Sequence, residues 1–229
     1  MEHPLTWFSL LPLIKDLPVH VSGAILVGLL LIVISFVYQR KQKSIKDALI
    51  PDPKFSLSNL MEVIGEWILS LLDDIVGPEG RKFLPLVGTV FIFILFNNLL
   101  GVIPGFSPPT GNLNTNAACA ITVFLAYNYY GVKAHGWRYL KHFIGPVWWL
   151  FFLFLPVELI SHLFRPITLS VRLFGNIHGD HTVLEKFLEY VPLGMPAMIM
   201  ILGIIVSLVQ AFVFALLTMI YIAFATAHE

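Results

Sequence analysis

The sequence has 229 residues, of which 57% are hydrophobic and only 12% charged, with 14 basic and 14 acidic side chains that cancel. Soluble domains keep about a quarter of their residues charged, so this deficit excludes an ordinary water-soluble globule. Zero net charge removes the electrostatic basis for nucleic-acid binding, and the alternating segments of about ten residues that build an outer-membrane barrel are absent. What remains is an all-α integral membrane protein, a single membrane domain over 1–229, with about five transmembrane helices and one interfacial amphipathic helix.

In chain order, the first residues hold Pro4, Pro12 and Pro18 and no basic run, so no cleaved leader is expected. The first predicted span, 19–38, stops at the basic run QRKQKSIK, and a linker with Pro51 and Pro53 follows. Over 58–76 the apolar residues Leu60, Met61, Ile64, Trp67, Ile68, Leu71, Leu72 and Ile75 recur at helical spacing, with Glu62, Glu66, Asp73 and Asp74 off that stripe. Carboxylates at that density argue against spanning. They predict a helix at the membrane surface whose acidic face suits a protein contact better than anionic lipid.

A second span is predicted over 83–103, ending in the turn cluster GVIPGFSPPTG. The third, 116–130, is short for a span and contains the single cysteine, Cys119, which can form no internal disulfide and reads as a small packing residue. After the basic loop GVKAHGWRYLKHFIG, residues 146–190 stay mostly apolar. As one straight helix they would reach about 67 Å, roughly twice the bilayer core. The segment must therefore tilt strongly, kink at Pro156 or Pro166, or break into a hairpin. The last predicted span is 196–225, which makes a long tilted pair with 146–190.

Lysine and arginine set the orientation. With the N-terminus outside, the inner segments carry Arg40, Lys41, Lys43, Lys46, Lys54, Arg81, Lys82, Lys133, Arg138 and Lys141, and the outer ones only Lys15 and Lys186. This asymmetry predicts a cytoplasmic C-terminus.

Arg165 and Arg172 remain inside the long apolar segment. A charge at mid-bilayer costs about 2.5–3.5 kcal/mol on insertion scales, and arginine cannot escape by losing its proton. Around them Glu158, Ser161, His162, Arg165, Thr168, Arg172, Asn176 and Asp180 follow one another in steps that keep side chains on one helix face. The stripe would extend about 33 Å, comparable to the hydrocarbon thickness, and suits the lining of an ion path. The blander alternative is a structural ion pair, such as Glu158 with Arg165, and a snorkelling helix end. On the last segment Gly203, Ser207, Ala211 and Ala215 form a small-residue ridge for close helix approach. Gln210, among Leu, Val and Phe, needs a polar partner. His178, Asp180 and His181 are too few for a metal centre, and HExxH is absent, so neither metal nor cofactor is expected. A secondary transporter is the alternative class, but it favours internal repeats, and no convincing self-similarity is visible.

The string SVRLFGN at 170–176, preceded by PVELISHLFRPITL and followed by LVQAFVFALLTMIYI, resembles subunit a of the F-type ATP synthase. PLVGTVFIFILFNNLLGVIPG and PPTGNLNTNAACAI are similar to that family's middle spans, and the likeness covers roughly 83–225. The resemblance implies a non-catalytic stator subunit with two offset half-channels, coupling proton flow to rotation in the inner (plasma) membrane. Its partners would be the c-ring, the peripheral-stalk b subunits and, indirectly, the rotary head. It further implies that Arg172 is the essential stator cation facing the ring's carboxylates, with Asn176 and Gln210 beside it. Glu158 matches the cytoplasmic half-channel, Asp180 and His181 the periplasmic one, and Ser161, His162, Arg165 and Ser207 become possible lining. Many members carry an acid where His181 stands and a histidine where Gly203 stands. Asp180 and His181 are thus both eligible to relay the incoming proton.

Overall fold

The structure, a computed structural model, describes residues 17–41, 57–103, 105–136, 139, 151–190 and 195–226. Among these the chain forms α1 (Val19–Lys41), α2 (Leu57–Ile75), α3 (Leu84–Leu100), α4 (Leu113–His135), α5 (Phe151–Tyr190) and α6 (Met195–Thr226), with no strand. Short 3₁₀ turns at Pro78–Phe83 and Pro109–Gly111 lead into α3 and α4. Val19–Arg40, Pro78–Leu100 and Met198–Thr226 are long and apolar enough to cross a bilayer. Leu29, Ile32, Val33 and Phe36 of α1 are all more than half exposed, which suits contact with lipid and not with water. The chain is an integral membrane protein built of helices.

The core lies where α3, α4, α5 and α6 meet. Val87, Phe91 and Ile94 of α3, Val123 of α4, Leu173 of α5 and Ile222 of α6 are all buried there. Lipid tails are as apolar as leucine, so close packing and interhelical hydrogen bonds hold such helices together. The ridge on α6 serves this purpose: Ser207, Ala211 and Ala215 are buried, and Asn98 Nδ2 of α3 donates to the Ser207 carbonyl at 3.3 Å.

Helix α4 begins earlier and ends later than the 116–130 expected from apolarity. Asn112 caps its start, its side-chain oxygen accepting from the Asn114 amide at 2.9 Å. Gly136, at φ +57°, ends it in a conformation that disfavours other residues. A cap can extend a helix through residues too polar to enter a hydropathy window.

α2 carries its apolar stripe against the same molecule. Ile68 and Leu72 are buried, and the Trp67 ring lies 5.8 Å from Phe91 of α3 and 5.2 Å from Phe212 of α6. Glu66 and Asp74 stay exposed. Asp73 accepts from Arg81 at 2.8 Å, and that hydrogen bond holds its carboxyl below the usual range.

α5 is unbroken from Phe151 to Tyr190, with Pro156 and Pro166 inside it. The hairpin alternative for 146–190 therefore does not occur over 151–190; residues 146–150 lie outside the described chain. Each proline lacks the N–H that would reach the carbonyl one turn back. The Ser170 hydroxyl donates to the Pro166 carbonyl at 2.7 Å, adding a local bond beside one such gap. At 1.5 Å per residue α5 is about 60 Å long, too long to stand upright in a bilayer core of about 30 Å.

Candidate functional site

On α5 the buried residues His162, Leu169, Leu173 and Ile177 form a stripe that packs on α4 and α6. The polar residues run along its rim and differ in how they are held. Glu158, Arg165, Asp180 and His181 are half-buried, whereas Ser161, Thr168, Arg172 and Asn176 are exposed. The continuous lining expected from spacing is thus divided into three regions.

The first region is closed. His162, expected as possible lining, is 7% exposed and turned into the protein. Asn128 Nδ2 donates to the Phe124 carbonyl at 2.7 Å, which fixes the amide so that Oδ1 faces away from it. That oxygen accepts from the Tyr139 hydroxyl at 3.0 Å and lies 2.9 Å from His162 Nε2. An amide oxygen only accepts, so Nε2 carries a hydrogen. The His162 ring also sits 5.0 Å from Phe124 and 5.5 Å from Tyr127. Arg165, one turn on, places its guanidinium 5.2 Å from the Tyr221 ring of α6, an attraction typically worth about 0.5–2 kcal/mol. No ion pair joins Glu158 to Arg165 among the described residues. The ion-pair alternative for Arg165 is thus absent there, and its guanidinium meets Tyr221 of the adjoining helix instead.

The second region is Arg172. It is exposed and, among the described residues, has no hydrogen-bond, ion-pair or ring partner. Its neighbour Leu173 is 1% exposed, so α5 turns its packing face inward and this guanidinium outward.

The third region is open space between α5 and α6. A groove of about 420 Å³ is lined by Gly175, Asn176, Gly179 and Asp180 on one side and by Ile205, Val206, Val209 and Gln210 on the other. Here Gln210, 38 residues beyond Arg172 in the chain, faces Asn176 and Asp180 across a cleft roomy enough for water. Ser207 does not line it: this residue is buried against α3. A smaller cavity of about 30 Å³ adjoins, its polar side chains being those of Asp180 and His181. His178 is turned elsewhere and stacks on Phe174 at 5.2 Å. The described residues hold no group of three side chains placed to bind a metal.

Sequence reasoning missed Asn98, Asn128 and Tyr139, although Asn98 and Asn128 are polar residues within apolar helices, a signal that normally calls for a named partner. Gly101 was also missed; nothing in the sequence around it shows that His181 approaches it.

Long apolar helices beside one long helix that bears a polar stripe and an arginine unpartnered among the described residues are the features of a polytopic membrane protein of the ion-conducting kind. Comparison with known proteins makes this specific. The family described as ATP synthase A chain matches residues 21–223. Subunit a 1 of the ATP synthase of Syntrophotalea carbinolica is 47% identical over 205 residues, covering 90% of this chain and 84% of its own. Subunit a of Trichlorobacter lovleyi is 44% identical and that of Geobacter sulfurreducens 40% identical, each covering 97% of this chain and 96% of its own. The chain belongs to the ATP synthase A chain family.

Proposed function

We propose that this chain is the non-catalytic proton-channel stator subunit of a rotary ATP synthase, carrying protons through two offset half-channels separated by Arg172. One observation carries the reading: a guanidinium that cannot be neutralised stands exposed on the long helix α5 with no partner among the described residues. At mid-membrane such a charge is tolerated only beside water or an opposing group. A carboxylate carried past by the c-ring is such a group, and the cation lowers its pKa and makes it release its proton.

The released proton leaves on the Glu158 side. A fresh one arrives through the groove of Asn176, Asp180 and Gln210, with His181 behind it. Arg172 repels any proton attempting the direct route. Each bypassing charge would forfeit about 2.3 kcal/mol per 100 mV of membrane potential. The bacterial relatives and the apolar helices support an inner-membrane location, and the lysine and arginine distribution supports a periplasmic N-terminus and cytoplasmic C-terminus. Partners on this reading are the c-ring and the peripheral-stalk b subunits.

The test uses membrane vesicles holding the assembled complex. Arg172→Ala should abolish ATP-driven proton pumping while the chain still co-isolates with the ring. Normal coupled pumping in that variant would overturn the reading. Cysteines introduced along α5 should in addition be reached by silver ions from opposite sides of Arg172.

A further inference from the structure

The two spaces beside α5 share one polar residue. Asp180 lines the large groove together with Asn176 and Gln210, and it lines the small cavity together with His181. His181 lines only the small cavity, and Asn176 and Gln210 only the large one. Along α5 the order toward the chain's C-terminal end is Arg172, Asn176, Asp180, His181, so the small cavity lies on the side of Asp180 away from Arg172.

From this arrangement we infer that His181 and Asp180 act in series: the incoming proton meets His181 first, and Asp180 is the single handover point into the groove that leads to Arg172. The inference rests on the stator-channel reading and decides an order that the reading itself leaves open.

Two glycines make the outer chamber. A Cβ on Gly101, at the end of α3, would lie 2.8 Å from His181 Nε2 and 2.6 Å from Pro108 Cβ, closer than real contacts allow. The imidazole thus rests directly on backbone where any other residue would displace it. Gly203 of α6 also lines the chamber, and a Cβ there would meet only Val102, at 3.9 Å. A side chain at 203 thus has room at the chamber's wall. The chamber's volume of about 30 Å³ exceeds the roughly 10–15 Å³ that one water needs, and a carboxylate and an imidazole give that water polar partners. A proton taken by imidazole Nε2 or Nδ1 can leave from the other nitrogen to such a water and on to the Asp180 carboxylate. The transfer leaves His181 in its other tautomer, which returns by ring rotation or exchange through water before the next proton, and Asp180 is again a carboxylate once it passes the proton into the groove. Gly101 and Gly203 are positioning residues for this relay.

Series and parallel action separate cleanly in double variants. In vesicles with the head removed, passive proton conduction driven by a potassium diffusion potential is measured for His181→Ala, Asp180→Asn and the pair. In series, each single variant slows conduction by about tenfold or more, the range of a lost proton-transfer group, and the double variant conducts no worse than the slower single one. Imidazole added to the outer side should restore His181→Ala and leave Asp180→Asn unchanged. Gly203→Val should lower conduction as His181→Ala does and shift its outer-pH profile, with assembly intact by co-isolation of the ring. Two results would overturn the inference: near-normal conduction in Asp180→Asn, or a double variant slower than both singles by the product of their effects. Loss of the stator-channel reading itself would appear separately, as coupled pumping that survives Arg172→Ala.

Discussion

Arg165 and Arg172 lie two turns apart on one helix and have opposite surroundings. Arg165 is half-buried over the Tyr221 ring, in a region where His162, Asn128 and Tyr139 satisfy one another within the chain. Arg172 is exposed, and none of the described residues pairs with it. The two arginines thus separate into one held within the fold and one without a partner among the described residues. Partnering distinguishes them, and depth along the helix does not.

The sharpest way to break this contrast is to remove each guanidinium in turn. Arg165→Ala should retain coupled pumping, with a partial loss, because what it forfeits lies within its own chain: the Tyr221 ring, worth about 0.5–2 kcal/mol, and an interaction with Tyr127. Arg172→Ala should leave none. ATP-driven acidification of vesicles reads both, and equal losses would erase the distinction. A smaller effect is expected from His162→Leu. Asn128 Oδ1 then loses one of its two donors in a buried site, which costs about 1–3 kcal/mol. Thermal unfolding of the purified complex should register the loss, while His162→Gln, which can still offer an N–H, should recover part of it.

The smallest effect lies outside the membrane, at Asp73. Its carboxyl is held below the ordinary value by the hydrogen bond from Arg81. The unfolded chain therefore binds the proton more readily, so the pair stabilises α2 above the usual aspartate pKa. That contribution fades as pH falls through the lowered value. The pair faces solvent and should weaken with salt. Protease protection of α2 in acid, compared between the parent and Asp73→Asn, tests the sign: the parent should lose protection on acidification and the variant should change less.

Much of this was legible in the residues. The apolar runs of α1, α3 and α6 stand out because hydropathy is a local property, and SVRLFGN together with its flanking strings and the middle-span strings indicates the family. Step spacing placed Glu158, His162, Arg172 and Asp180 on one face of α5, since 3.6 residues per turn is a property of the chain alone. It could not say which of them the neighbouring helices would cover. His162 is claimed by Asn128, 34 residues earlier, and Arg165 by Tyr221 of a later helix. The start of α4 escaped for a different reason: the Asn112 cap sustains a helix through residues that hydropathy counts against it.

The rings around Trp67 have a mechanical meaning. Wedged between Phe91 and Phe212, this indole couples the helix at 57–75 to α3 and to α6, which forms one wall of the groove opposite Asn176 and Asp180. A rotating ring exerts drag on whatever it slides past, and a stationary part must pass an equal and opposite load to an anchor. On the proposed stator role, a shove felt by α6 would pass through these three ring contacts to α2, whose Glu66 and Asp74 face outward.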